Sequence, residues 1–248
     1  FALDDRGIDL PFQLSGPIVL IQTFLDEYTD ASNVVSVARS LGACLVIVDS
    51  YRITSSWIAV VSEAGLPVAA IDDLGKIVNA DLRIDYSASA TSRSSYKAEL
   101  LGPRFFITDS SRLYGRPGPP KSMILHAGGN GEFWRCAPVY KVASEVARRK
   151  GLRLTWLCAN LESSAWLETS GNITVGDKVI GWQKQSINLW SEFDVVVGPA
   201  STSLYEAILQ GALPISFPIS HTQTSDRDGW LTLGHLLHLT ANEVTDLD

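Results

Sequence analysis

Met123-Ile124-Leu125-His126-Ala127-Gly128-Gly129-Asn130-Gly131 reads as an apolar strand running into a glycine-rich turn, and helical periodicity follows over 132–150. That helix is basic at its end, with Arg148, Arg149 and Lys150 where cations complement the dipole, and it stops before Gly151. The same grammar returns in Asp194-Val195-Val196-Val197-Gly198-Pro199-Ala200-Ser201-Thr202-Ser203-Leu204-Tyr205-Glu206-Ala207: a strand, a turn of small residues and a helix start. A third segment, Ile215-Ser216-Phe217-Pro218-Ile219-Ser220-His221-Thr222-Gln223, is a strand that opens into a polar loop. Strands alternating with helices build parallel sheets, and ligands bind beyond the carboxyl ends of such strands. The three segments are therefore expected on one edge.

Outward from these segments the alternation covers the chain. Strands are expected at 18–21, 44–48, 67–71, 81–85, 104–108, 122–127, 152–158, 173–175, 194–198, 213–219 and 235–239. Further helices are expected over 31–41, 55–64 and 203–210, each stopping at a glycine (Gly42, Gly65, Gly211). Arg116-Pro117-Gly118-Pro119-Pro120 can be neither helix nor central strand and divides the chain into lobes at 1–116 and 121–248, each with its own βα units. The fold class is α/β, with two parallel sheets.

Composition narrows the function. The 248 residues are 46% hydrophobic and 19% charged, an ordinary globular make-up with length for two cores. The longest apolar runs, such as Leu45-Val46-Ile47-Val48, fall far short of the roughly 18 residues of a membrane span. A net charge of −7 argues against a nucleic-acid surface, while helix N-termini can still hold a small anion. Cys44, Cys136 and Cys158 are odd in number and widely spaced, which fits neither a disulfide framework nor a zinc site and points to a reducing, cytoplasmic setting. No cluster has metal-ligand spacing, and binding calls for neither divalent ion nor cofactor. The chain opens on Phe1 without a signal-peptide pattern, and a preceding segment is expected to be missing.

Each candidate site has a functional and a structural reading. Gly128, Gly129 and Asn130 allow backbone N–H groups to approach a phosphate, or form a turn that binds nothing. Ser201, Thr202 and Ser203 offer hydroxyls and helix N–H groups to an anion, while Glu206, one turn in, either accepts from ribose hydroxyls or closes a capping box with Ser203. His126 and His221 both lie where they can titrate near neutral pH and meet a diphosphate, with His221 preferred because it stands on the ligand-side loop; His126 is equally readable as a satisfied residue under the sheet edge. Asp49, Asp72, Asp73 and Asp85 follow strands of the first lobe. Asp73 reads as a turn cap, and Asp49 and Asp72 as better candidates for activating water or orienting a sugar hydroxyl.

In their order and spacing these segments resemble the nucleotide-sugar hydrolases that remove UDP from a diacetamido-trideoxy-altrose donor in pseudaminic acid biosynthesis, with their spore-coat and flagellar relatives. More distantly they resemble the N-acetylglucosaminyl transferase that makes lipid II. Val48-Asp49-Ser50-Tyr51, Ala70-Ile71-Asp72-Asp73-Leu74 and Leu101-Gly102-Pro103-Arg104-Phe105 carry the resemblance in the first lobe. In the second it rests on the Gly128-Gly129 turn, Val179-Ile180-Gly181-Trp182, the stretch from Gly198 to Glu206 and that from Pro218 to Gln223. The resemblance implies a GT-B fold of two Rossmann-like lobes and a UDP-sugar as partner. It puts the base against the backbone from Ile180 to Trp182, the ribose at Glu206, the diphosphate at Ser201 to Ser203, and Thr222 and Gln223 toward the sugar or phosphate. On spacing alone Trp182 is more often a packed aromatic.

Two departures stand out. Relatives begin with a strand and a Gly-x-Gly-His loop that this chain lacks, so its first βα unit is expected to be absent and the first sheet to carry an unpaired edge. Where the family has Asp-Asn-Gln this chain has His221-Thr222-Gln223. Three functions follow in order: acceptor-free hydrolysis of a UDP-sugar with His221, Asp49 and Asp72 as the acid–base set, transfer of the sugar to an acceptor, and non-catalytic nucleotide-sugar binding.

Overall fold

The computed structural model describes residues 2–4, 19–21, 26–77, 79–92, 96–108, 118–129, 131–181, 186–234 and 237–238. The chain divides into two compact units, Phe1–Phe106 and Ile107–Asp248. Arg116 and Pro117 of the proline-rich stretch read as the lobe boundary lie outside the described residues.

In the first unit β1 (Ala2–Asp4), not expected from the sequence, pairs in parallel with β2 (Val19–Ile21). A four-stranded parallel sheet follows in the order β3 (Val46–Asp49), β4 (Val68–Ile71), β5 (Leu82–Asp85), β6 (Ala98–Leu101). Helix α1 (Glu27–Ser40) is capped by Asp26, whose carboxylate accepts from Thr29 N at 2.7 Å and is held below its usual pKa by that bond. It packs with α2 (Ser55–Glu63) through Ala31, Val35, Ala38, Trp57, Ile58 and Val61, all buried. The strand expected at 104–108 is instead a 3-10 turn, Pro103–Phe105, because Pro103 has no N–H for a ladder and Gly102 before it has φ of 91°. The true strand, β6, lies earlier, in a run whose Ala-Glu-Leu-Leu composition favours helix.

The second unit holds a six-stranded, all-parallel sheet built from β7 (Ser122–His126), β8 (Arg153–Cys158), β9 (Lys178–Gly181), β10 (Val195–Pro199), β11 (Leu213–Phe217) and β12 (Leu237–His238). Their spatial order is β12-β11-β10-β7-β8-β9. This is the doubly wound order whose direction reverses between β7 and β10. Both faces are covered, which explains the unbroken apolar runs of β7 and β10. Met123, Leu125, Trp156 and Val197 face one core, with Phe133 and Tyr140 of the segment 133–140, while Ile124, Leu157, Trp190 and Val196 face the other. Asp194 fixes the two central strands at their starts: its Oδ2 accepts from Lys121 N, Ser122 N and Ser122 Oγ at 2.9, 3.0 and 2.8 Å.

Helix α3 (Ala137–Arg149) is preceded by a 3-10 turn, so the single helix expected over 132–150 is in fact two pieces with Pro138 at the start of the second. Helices α4 (Leu161–Ser170), α5 (Thr202–Leu209) and α6 (His221–Thr232) complete the unit. The strand expected at 173–175 is a turn, since Asp177 Oδ2 accepts from Thr174 N at 2.9 Å and Arg148 pairs with the same oxygen at 2.6 Å. The ladder starts at Lys178 instead. The polar loop expected at 221–223 is the first turn of α6.

Candidate functional site

The ends of β7 and β10 meet at the point where strand order reverses. Gly128, with φ of 73°, leaves β7, and Gly131 at φ 71° closes the turn by donating to Gly128 O at 3.1 Å. A side chain at Gly131 would lie 2.9 Å from Ser163 Cβ and 3.1 Å from Ala159 Cβ, so the turn is packed against the start of α4. At Gly129 nothing stands within 4 Å of an added Cβ, and the residue is exposed. Tyr140 donates to His126 O at 2.8 Å and ties the end of β7 to α3.

His126 lies beneath the turn rather than in it. It is 3% exposed, its Nδ1 accepts from Gly128 N at 3.2 Å, and its ring packs on Trp190 with centroids 5.0 Å apart. A Cβ on Gly198 would fall 2.1 Å from His126 Nε2, so the imidazole fills the place of a side chain on β10. Burial lowers its pKa to about 4. The reading of His126 as a group titrating near neutrality is thereby corrected. It is a neutral spacer between β7 and β10 that accepts from the glycine turn.

On the β10 side, Ser201 is the N-cap of α5 in extended conformation, yet its side chain makes no capping bond; its hydroxyl lies 2.8 Å from that of Ser203. The first N–H groups of α5 are therefore not capped by a side chain, an arrangement suited to an anion. Glu206 does not close a capping box. Helix α5 begins at Thr202, and Glu206 Oε2 accepts from Trp190 Nε1 at 2.9 Å. The α6 start is similar: Ser220 makes no side-chain cap, and Gln223 Oε1 accepts from Ile219 N at 2.8 Å, which fixes the approach to the helix. Tyr205 donates to Asp226 Oδ1 at 2.6 Å, joining α5 to α6.

Of the remaining expected positions, Ile180 is half-buried at the end of β9. Asn130 and Trp182 lie outside the described residues, as do the side chains of His221 and Thr222.

In the first unit Asp49, Asp72, Asp73 and Asp85 all stand at the carboxyl edge of the sheet. Asp72, rather than Asp73, is the turn cap. Asp72 is 5% exposed and accepts from Lys76 N at 3.1 Å and Ile77 N at 2.8 Å, so it is the residue that holds the turn. Asp73 accepts from the Tyr51 hydroxyl at 3.1 Å, and desolvation raises its carboxyl above the usual range against the opposing effect of that bond. Desolvation also raises Asp49. Tyr51 is pushed up to about 12 by lost hydration and by the charge of Asp73. Asp85 is committed to structure, between the buried guanidinium of Arg83 and the hydroxyl and N–H of Ser87.

The sequence matches no protein-family model and no curated protein. Solved structures do match. MurG of Acinetobacter baumannii aligns with a TM-score of 0.60 at 11% identity, over 93% of this chain and 75% of that one. The MnaA–UDP structure from S. aureus aligns at 0.58 and 12% identity, over 92% and 71%. The glycosyltransferase SnogD from Streptomyces nogalater aligns at 0.54 and 13%, over 89% and 70%. The fold is GT-B, with two Rossmann-like units. Among the described residues no helix is long and apolar enough to cross a membrane.

Two side chains, one in each unit, escaped the sequence reading. In the second unit Trp190 donates to Glu206 across 16 positions, a contact that leaves no local trace. Tyr51 was quoted only as part of a motif, and its partner Asp73 lies 22 positions away.

Proposed function

We propose that this protein is a nucleotide-sugar hydrolase that takes a UDP-sugar and releases UDP from an amino-deoxy sugar. The observation that carries the reading is the switch point of the second unit. A glycine turn, an α5 start not capped by a side chain and a fixed carboxylate one turn in gather at the two strand ends where such sheets take ligands. In this reading Gly128, Gly129 and Asn130 and the Ser201–Thr202–Ser203 turn hold the diphosphate. Glu206 accepts from the ribose hydroxyls, Ile180 and Trp182 border the base, and Thr222 and Gln223 meet the sugar or a phosphate. Water attacks the anomeric carbon, the C–O bond breaks and UDP departs with its charge stabilised by helix N–H groups, or water attacks the β-phosphorus, the P–O bond to the sugar breaks and the sugar's anomeric oxygen leaves, again giving UDP and free sugar. The proton of the attacking water passes to a carboxylate, and Asp73 and Asp49 are proposed for it because their raised pKa values bring them nearer the working pH. His221 remains a proposed partner in this chemistry.

The resemblance of the ordered motifs to UDP-sugar hydrolases favours this reaction; the fold shared with a protein named as a glycosyltransferase favours the second reading, sugar transfer. Incubation with a UDP-sugar in H2¹⁸O, with and without an added acceptor, separates them. Free sugar and nucleotide without an acceptor support hydrolysis, and the position of the label identifies the bond that breaks. Turnover only with an acceptor contradicts it.

A further inference from the structure

Trp190 does more in this unit than fill the core. It sits in the 3-10 segment Ser186–Glu192, is 1% exposed, and packs with Ile124, Leu157, Val196, Ala207 and Ala212. A buried indole N–H needs an acceptor, and here that acceptor is a carboxylate on α5. The segment is held to the same helix a second time: Ser191 N donates to Gln210 Oε1 at 3.0 Å, four residues after Glu206. Two side chains one helical turn apart therefore lock the segment to α5, and the indole cannot shift without breaking a second bond. On its other side the indole packs against the His126 ring, which accepts from the Gly128 amide.

We infer that Trp190 is a positioning residue for nucleotide recognition, orienting the Glu206 carboxylate so that it can accept from both hydroxyls of a ribose. The indole takes only Oε2, and a carboxylate accepts at two oxygens. Glu206 is half-buried, so it keeps access to solvent while its orientation is set from the core side. A flexible glutamate would lose side-chain freedom on gripping the diol; one already held by a rigid indole loses less. The ligand class is thus a ribonucleoside diphosphate, discriminated from its deoxy counterparts through a residue that never touches it. This inference rests on the proposed reading of Glu206 as the ribose acceptor.

The test is a titration of the whole chain with UDP and with 2′,3′-dideoxy-UDP, for the parent protein, Trp190→Phe and Glu206→Gln. The parent should bind UDP at least tenfold more tightly than the dideoxy compound. Trp190→Phe should weaken UDP about five- to tenfold and leave dideoxy-UDP within twofold. If Trp190→Phe fails to fold, benzothienylalanine at position 190 removes the N–H and keeps the shape, with the same expected split. Equal weakening of both ligands, or no weakening of UDP, overturns the positioning role while the Glu206 reading stands on its own variant. A parent protein that does not distinguish the two ligands, or Glu206→Gln without effect on UDP, overturns both.

Discussion

The carboxyl edges of the two sheets occupy the same architectural position and carry opposite chemistry. In the second unit the edge between β7 and β10 carries a glycine turn, serine and threonine hydroxyls and a helix start without a side-chain cap, over a histidine that burial keeps neutral. In the first unit the edge after β3, β4 and β5 carries Asp49, Asp72, Asp73 and Asp85 with Tyr51 among them. An uncapped helix start favours an anion, and a row of carboxylates disfavours one. Carboxylates with raised pKa values can exchange protons, which an edge of glycines and hydroxyls cannot do. In the proposed function the edge of the second unit is the binding edge and the edge of the first unit the one able to exchange protons.

Within the acidic edge, Asp73 and Asp72 sharpen the contrast between chemistry and scaffold. Asp73→Asn should lower turnover of a UDP-sugar by about 10²–10⁴-fold with unchanged UDP affinity. Asp72→Asn should leave turnover within a few-fold but destabilise the fold by about 1–3 kcal/mol, because its oxygens hold the turn at Lys76 and Ile77. Parallel denaturant melts and kinetics check both.

His126 offers a test on the binding edge. Its folded pKa is about 4 against an ordinary 6.5, so the unfolded chain binds its proton first as pH falls. Stability is full above 6.5, declines through the window down to about 4 and is lower by ~3 kcal/mol below it. His126→Gln, which keeps an acceptor for the Gly128 amide, should remove that component, so the difference between the two proteins' stability curves isolates it. Gly198→Ala should cost about 1–3 kcal/mol, since its methyl falls within the imidazole and the ring must move. A melt close to that of the parent would break the account of His126 as a spacer.

Much of this edge is legible in the sequence because its signals are local. The runs Met123-Ile124-Leu125 and Val195-Val196-Val197 mark strands buried on both faces, and the small-residue turns after them mark the helix starts. Helices α4 and α6 were missed for an equally physical reason: Leu161–Ser170 carries no apolar stripe, and His221–Thr232 is polar with Gly229 inside it. Long-range partners were the other gap. Glu206 spaced three after Ser203 looks like a capping box, but an N-cap two residues earlier, at Ser201, and a tryptophan from another segment decide its contacts. Asp72 and Asp73 differ only in which way the chain turns them, and adjacency in sequence cannot separate a buried turn cap from a carboxylate that meets a tyrosine.

The most direct test of the central claim is a calorimetric titration of the chain and of Ser203→Asp with UDP, using CDP, GDP and ADP as controls. An added carboxylate in the first turn of α5 favours the helix and repels an anion at the same place. The account predicts selective, saturable UDP binding by the parent and at least tenfold weaker binding by a Ser203→Asp variant that melts no lower. Undiminished binding by the variant, or none by the parent, would contradict it.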